Sequence, residues 1–140
     1  KLKIYVGCSL THSPEEFKRH IVDFKSEIRS HGFEVMEFLG LTAGTPKDVY
    51  EEDIVKNVGG CDVFVAVFDY PAIGLGYEIA VANEKLGIPT LALAEAGRKV
   101  TRLIMGVPQK NYSFMEYKDQ DDMVKITLDF LERVGKDKLV

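Results

Sequence analysis

One run in the chain limits the fold more than any other: Asp62 to Phe68, which reads Asp-Val-Phe-Val-Ala-Val-Phe with no polar residue after its first position. Such continuous β-branched and aromatic apolarity is expected of a parallel strand covered on both faces, so it predicts the middle strand of a sheet flanked by helices. The rest of the chain supplies the matching units. Leu2 to Cys8 reads as a strand, followed by Ser13-Pro14-Glu15-Glu16, an N-cap with proline in the first helical turn, and a helix to about His31. Phe17, Ile21, Phe24 and Ile28 fall on one face of that helix and Gly32 stops it. Phe33 to Phe38 reads as a second strand, Gly40 to Pro46 as a loop, and Asp48 to Val58 as a helix ended by Gly59-Gly60.

After the central strand, Gly76 to Leu86 reads as a third helix, Pro89 to Ala94 as a strand and Arg98 to Met105 as a short helix. Tyr112 to Tyr117 is the fifth strand, and Asp121 to Val134 closes the chain as a helix carrying Met123, Ile126, Phe130 and Val134 on one face. Five βα units predict an α/β, flavodoxin-like, doubly wound three-layer sandwich. Its five-stranded parallel sheet should have the order 2-1-3-4-5. A chain of 140 residues, 46% hydrophobic and 29% charged, fits one such domain spanning residues 1–140.

Charge and apolar runs narrow the partners. The net charge is −4 and the Lys and Arg residues are scattered, so no basic footprint for a nucleic-acid polymer is expected. The apolar runs are too short for a membrane span, and no signal peptide precedes Ile4, so a cytoplasmic location is expected. Cys8 and Cys61 sit in or beside strand-like runs as small hydrophobes, outside any Cys-x-x-Cys or Cys/His cluster, so no metal site is expected.

Ligands of doubly wound sheets bind beyond the strand ends where strands 1 and 3 diverge, here Gly7 to His12, Phe68 to Glu78 and the loop after strand 4. The turn Pro71-Ala72-Ile73-Gly74-Leu75-Gly76 lets backbone approach a ligand, and Tyr77-Glu78 is expected to open helix 3. A carboxylate in a first helical turn is favoured in its ionised form, which suits a nucleophile; the same position is also favoured for an acid with no function. The loop Gly7-Cys8-Ser9-Leu10-Thr11-His12 could cradle a phosphate or hydroxyl, or its hydroxyls could only cap helix 1. His12 is the histidine placed for the site, whereas His20 and His31 are expected on the solvated side of helix 1.

The segments Cys61 to Val67, Pro71 to Ala80 and Gly97 to Gly106 resemble the 2′-deoxynucleoside 5′-phosphate N-hydrolases, of the wider nucleoside 2-deoxyribosyltransferase superfamily. The resemblance implies that Glu78 attacks C1′ of a deoxyribose to form a covalent intermediate, which water resolves in the hydrolases and a second base in the transferases. It implies that Asp53 is the general acid/base, with Glu52 the neighbouring alternative because Ile54 to Cys61 is one residue longer than in the hydrolases. Two carboxylates in one cleft fit retaining glycosyl chemistry. Tyr5 matches an active-site tyrosine; as a strand aromatic it could equally be core.

Gly7, Ser9, Leu10, His12, Ala72, Gly74, Gly76 and Thr101 are the implied substrate contacts. At Ala72 the hydrolases carry a phosphate-binding serine and the transferases an aspartate. Thr101 stands where a second serine reaches the site from a neighbouring subunit, which implies a homodimer or higher oligomer, and Arg98 and Arg102 flank it. The carboxylate pair needs neither metal nor organic cofactor. The expected activity is hydrolysis of a 2′-deoxynucleoside 5′-monophosphate; the alternatives are a nucleoside 2-deoxyribosyltransferase and a catalytically silent nucleotide-binding module.

Overall fold

The structure is a computed structural model that describes residues 1–37 and 44–138. The expected positions Phe38 and Gly40 to Ala43 lie outside the described residues. The sheet contains β1 (Lys3–Cys8), β2 (Glu34–Val35), β3 (Val63–Val67), β4 (Thr90–Glu95) and β5 (Tyr112–Tyr117). Its strands are all parallel in the order β2-β1-β3-β4-β5, the flavodoxin-like topology expected from the alternating pattern.

Side-chain alternation along the strands builds two cores. Ile4, Val6, Val63, Val65, Val67, Leu91 and Leu93 pack on one face under α1 (Glu15–Ser30) and α5 (Gln120–Lys138), which contribute Phe17, Phe24, Ile28, Phe130 and Val134. Tyr5, Phe64, Ala66, Phe68, Ala92 and Ala94 face the other way, against Ile54, Val58, Leu75 and Ile79. All five residues of β3 are fully buried, as its unbroken apolar run requires. Removing each of the Val, Leu, Ile and Phe side chains from water contributes about 1.5–3 kcal/mol, so the centre of the sheet is a rigid base for the loops at its carboxyl edge.

Several element boundaries differ from the pattern. Strand β2 pairs over only Glu34 and Val35. Helix α1 is preceded by Pro14, which makes no side-chain cap bond, and Ser13 Oγ instead donates to the Ser9 carbonyl at 2.7 Å. Helix α2 (Pro46–Tyr50) starts earlier than expected because Thr45 and Asp48 form a reciprocal capping box. It runs on as a π-helical stretch, Glu51–Val58, in which the Gly59 N–H donates to the Ile54 carbonyl and Asn57 Nδ2 to the Glu52 carbonyl. Helix α4 is confined to Arg102–Met105, because Glu95 to Gly97 turns through the positive φ of Gly97.

Helix α3 differs most. It spans Ile73–Ile79 and continues as a π-helical stretch, Ala80–Lys85. Gly74 and Gly76 therefore lie inside the helix, without positive φ, and not in a turn ahead of it. The residue before the helix is Ala72, in extended conformation after Pro71, so the chain turns there and Ile73 is already helical.

Candidate active site

The carboxyl edge of β1 and β3 opens into a cleft of about 920 Å³. Its walls come from four elements: the β1 end and following loop, one face of α1, the π-helical stretch after α2, and the start of α3. Of the residues singled out above, Tyr5, Gly7, Ser9, Leu10, His12, Asp53, Ala72, Gly74 and Glu78 line this one cleft. Gly76 and Thr101 do not. Thr101 is exposed and caps α4 by accepting the Leu103 N–H at 3.3 Å.

Asp53 lies in the first turn of the π-helical stretch, where the wider helix absorbs one extra residue per turn and so alters which side chains face the sheet. Asp53 turns into the cleft; Glu52 does not line it and pairs with Lys56 at 3.4 Å. Glu78 lies one residue before the end of α3, beyond its first turn, where the helix dipole has faded. The expected stabilisation of its ionised form is therefore absent, and the effect is reversed. Burial, and then the charge of Asp53, push the Glu78 carboxyl up to about 8. Asp53 is also raised, by burial and by Glu52.

These shifts describe a coupled pair. The Asp53 charge opposes ionisation of Glu78 in a desolvated site, and both carboxyls are held toward their protonated forms. Asp53 Oδ1 and Glu78 Oε2 are both buried without a hydrogen-bond partner among the described residues. Unpaired buried carboxylate oxygens are costly and are suited to a ligand that supplies the missing partners.

Tyr5 packs beneath this pair. It is 2% exposed and stacks on Phe64 with ring centroids 5.4 Å apart, and burial, Glu78 and Asp53 all hold its phenol above the ordinary range, so it remains a neutral hydroxyl. A Cβ added at Gly7 would come within 2.9 Å of the Phe64 ring and 3.0 Å of the Leu75 side chain, so the absent side chain is what lets α3 approach the end of β1. Ser9 is 3% exposed, and its hydroxyl accepts the His12 N–H at 3.4 Å, which ties the loop. Thr11 and His12 complete that rim.

Pattern reading missed the helical wall. Lys18, Ile21, Val22 and Lys25 line the cleft from α1, and their spacing of three, one and three is a single helix face. That spacing was visible, but lysines on an amphipathic helix read as solvated. His20 also differs from expectation: Nε2 lies 3.2 Å from the Tyr117 hydroxyl, which donates to Asp69 Oδ2 at 2.5 Å beside a separate cleft of about 270 Å³. Arg98 sits there as well, paired with Glu95 at 3.1 Å and 4.7 Å from the centre of the Tyr70 ring, away from the carboxyl pair.

No family model matches the chain. Over 83 residues it is 36% identical to the Thermofilum pendens protein named "putative 2′-deoxynucleoside 5′-phosphate N-hydrolase 1"; the match covers 58% of this chain and 57% of that relative's length. Among solved structures, the Clostridium botulinum CMP N-glycosidase superposes with a TM-score of 0.65 at 21% identity, covering 91% of this chain and 98% of the other. The 2-desoxiribosyltransferase from Leishmania mexicana superposes with a TM-score of 0.58 at 13% identity, covering 86% and 82%. Those two likenesses show the fold. Over that part of its length the chain is similar in sequence to a protein named as a 2′-deoxynucleoside 5′-phosphate N-hydrolase, and it shares its fold with an N-glycosidase and a desoxiribosyltransferase.

Proposed function

We propose that this protein is an N-glycosidase that hydrolyses 2′-deoxynucleoside 5′-monophosphates, with Glu78 as nucleophile and Asp53 as general acid/base. The observation that carries this reading is the pair itself, two carboxyls lining one cleft, each with an oxygen buried without a hydrogen-bond partner among the described residues and each held toward its protonated form. With a proton on Asp53, a Glu78 oxygen bonds to C1′ as the C1′–N bond breaks, and the Asp53 proton passes to the departing base. Positive charge developing on the sugar stabilises the Glu78 carboxylate as it forms the covalent ester, offsetting the desolvation that holds its proton in the empty site. Water then attacks C1′, gives its proton to Asp53 and releases Glu78. The neutral Tyr5 hydroxyl supports a carboxylate oxygen through both steps, and the Ser9 to His12 loop, Ala72 and Gly74 surround the sugar and its 5′ end.

Glu78→Gln and Asp53→Asn test this on a panel of deoxynucleotides, with release of free base as the readout. Asp53→Asn should lower the rate by about 10²–10⁴-fold, and Glu78→Gln should abolish the covalent adduct seen by mass spectrometry after an acid quench. If the unmodified protein releases no base from any nucleotide, the reading is wrong. Ala72, without a hydroxyl, favours a second reading, a nucleoside 2-deoxyribosyltransferase, which base exchange with an added free base would reveal. If neither turnover occurs and nucleotides still bind, the chain is a silent nucleotide-binding module. The reading further places the protein in the cytoplasm as a homodimer, with Thr101 of one subunit reaching the site of the other. No helix among the described residues is long and apolar enough to cross a membrane.

A further inference from the structure

The cleft is lined by groups of both charges: Asp53 and Glu78 from the helices after β2 and β3, and Lys18 and Lys25 from α1. Cys8, at the end of β1, feels both: Lys25 and Lys18 favour its thiolate, Glu78 opposes it, and burial outweighs them all. Lys25 is partly buried, and its ammonium has no ion pair among the described residues. The carboxylate whose charge it feels, Glu37, is already ion-paired with Arg29. Burial disfavours the charged ammonium, which is the expected condition of a cation whose counter-ion arrives with the ligand. Lys18 has an exposed partner, Glu15 at 3.2 Å, an interaction weak enough to be exchanged for an anion.

A deoxynucleoside has no negative charge for these lysines, whereas a 5′-phosphorylated one carries a dianion at the far end of the sugar from the bond that breaks. The two positions implied for hydroxyl contacts to that phosphate cannot supply them within this chain: Ala72 has no hydroxyl, and Thr101 lies outside the cleft. We propose that Lys25 and Lys18 are the specificity-determining residues that hold a 5′-phosphate in this cleft, with charge from helix α1 replacing the missing hydroxyl at Ala72. The proposal rests on the N-glycosidase reading for which bond is placed against Glu78, but its test does not depend on turnover.

Equilibrium binding of four 2′-deoxynucleoside 5′-monophosphates, the matched nucleosides and inorganic phosphate is measured for the unmodified chain, Lys25→Met, Lys18→Met, the double variant and Lys25→Arg. The monophosphates should bind at least tenfold more tightly than the nucleosides. The double variant should reduce that ratio by about 10- to 100-fold, the range expected for losing charge-assisted bonds to phosphate. Lys25→Arg should retain most of the ratio, which a merely structural role for the side chain would not require. The preference should also weaken with added salt in the unmodified chain and be insensitive to it in the double variant. Equal binding of nucleotides and nucleosides by the unmodified chain overturns the proposal, as does a preference that survives the double substitution. Nucleotide binding with the expected loss in the variants, but no base released, would leave the lysine assignment standing and sink the hydrolase.

Discussion

Asp53 and Glu78 face one cleft from two different helices, and each keeps one carboxylate oxygen, Oδ1 and Oε2, buried without a hydrogen-bond partner. Neither arrangement is the cheapest for an empty protein. A buried carboxyl can lower its cost by keeping its proton, and both groups are displaced in that direction. The consequences are measurable in pH dependence.

The first is the rate profile. On the proposed mechanism the attacking state needs one proton on the pair, so kcat/KM should be bell-shaped. The acid limb reports the first ionisation, displaced above the ordinary aspartate range, and the alkaline limb falls at about 8 as the pair loses its last proton. Asp53→Asn removes the neighbouring charge, so Glu78 should ionise at lower pH in that variant, as an NMR titration of the labelled side chain would show. An alkaline limb that stays at the same pH after this substitution would exclude the coupling.

The same shift makes a stability prediction of opposite appearance. A glutamate whose folded value lies above its unfolded value binds more protons in the folded state, so its contribution is fully present below about 4.5 and is lost as pH rises to about 8. Glu78→Gln removes that titration. The variant should therefore be inactive yet more stable than the parent above pH 8, by up to a few kcal/mol, with little difference near pH 4. Thermal melts of the two proteins across that range provide the check.

The sheet order was legible because alternation and apolar runs are local signals: the unbroken Val63 to Val67 run could only be a central strand, and the helix faces repeat cleanly. The start of α3 was not. Gly74 and Gly76 carry no local mark separating a glycine in a turn from a glycine tolerated in a helix packed against β1. The π-helical turn around Asp53 was equally hidden, since a widened turn preserves apolar periodicity while changing which acid faces the cleft. Lys25 shows the remaining gap, because its sequence context is that of any amphipathic surface and only the position of α1 beside the β1 loop makes it part of the cleft wall.

Ala72 offers a test that separates packing from recognition. It precedes α3 in extended conformation and makes no side-chain cap bond. Ala72→Ser places a hydroxyl at that N-cap, where it can accept a backbone N–H, and should stabilise the protein by about 1 kcal/mol. Residue 72 also lines the cleft, so a 5′-phosphate bound there as proposed would meet the hydroxyl, and the monophosphate KM should fall as well. A gain in melting temperature without any change in KM would place the phosphate away from residue 72.

Gly7 links the fold to the chemistry. Its backbone pairs with Ala66 of β3, and the missing side chain leaves room for the Phe64 ring and for Leu75 of α3, which a methyl group would meet at 2.9 and 3.0 Å. Both neighbours belong to the same buried cluster as Tyr5 and Ile79, so neither can move without disturbing the helix that carries Glu78. Gly7→Ala should therefore cost about 1–3 kcal/mol of stability through overpacking. If Glu78 is the nucleophile proposed above, the effect on catalysis should exceed that on binding, because α3 is displaced relative to Asp53 on a separate helix, and a small misplacement of a nucleophile lowers kcat steeply. Leu75→Ala in the Gly7→Ala background removes the clash with α3 while leaving the one with the Phe64 ring, and should recover part of kcat. A double variant no faster than Gly7→Ala alone would show that Gly7 acts through the Phe64 ring or the loop that follows it and not through Leu75 of α3.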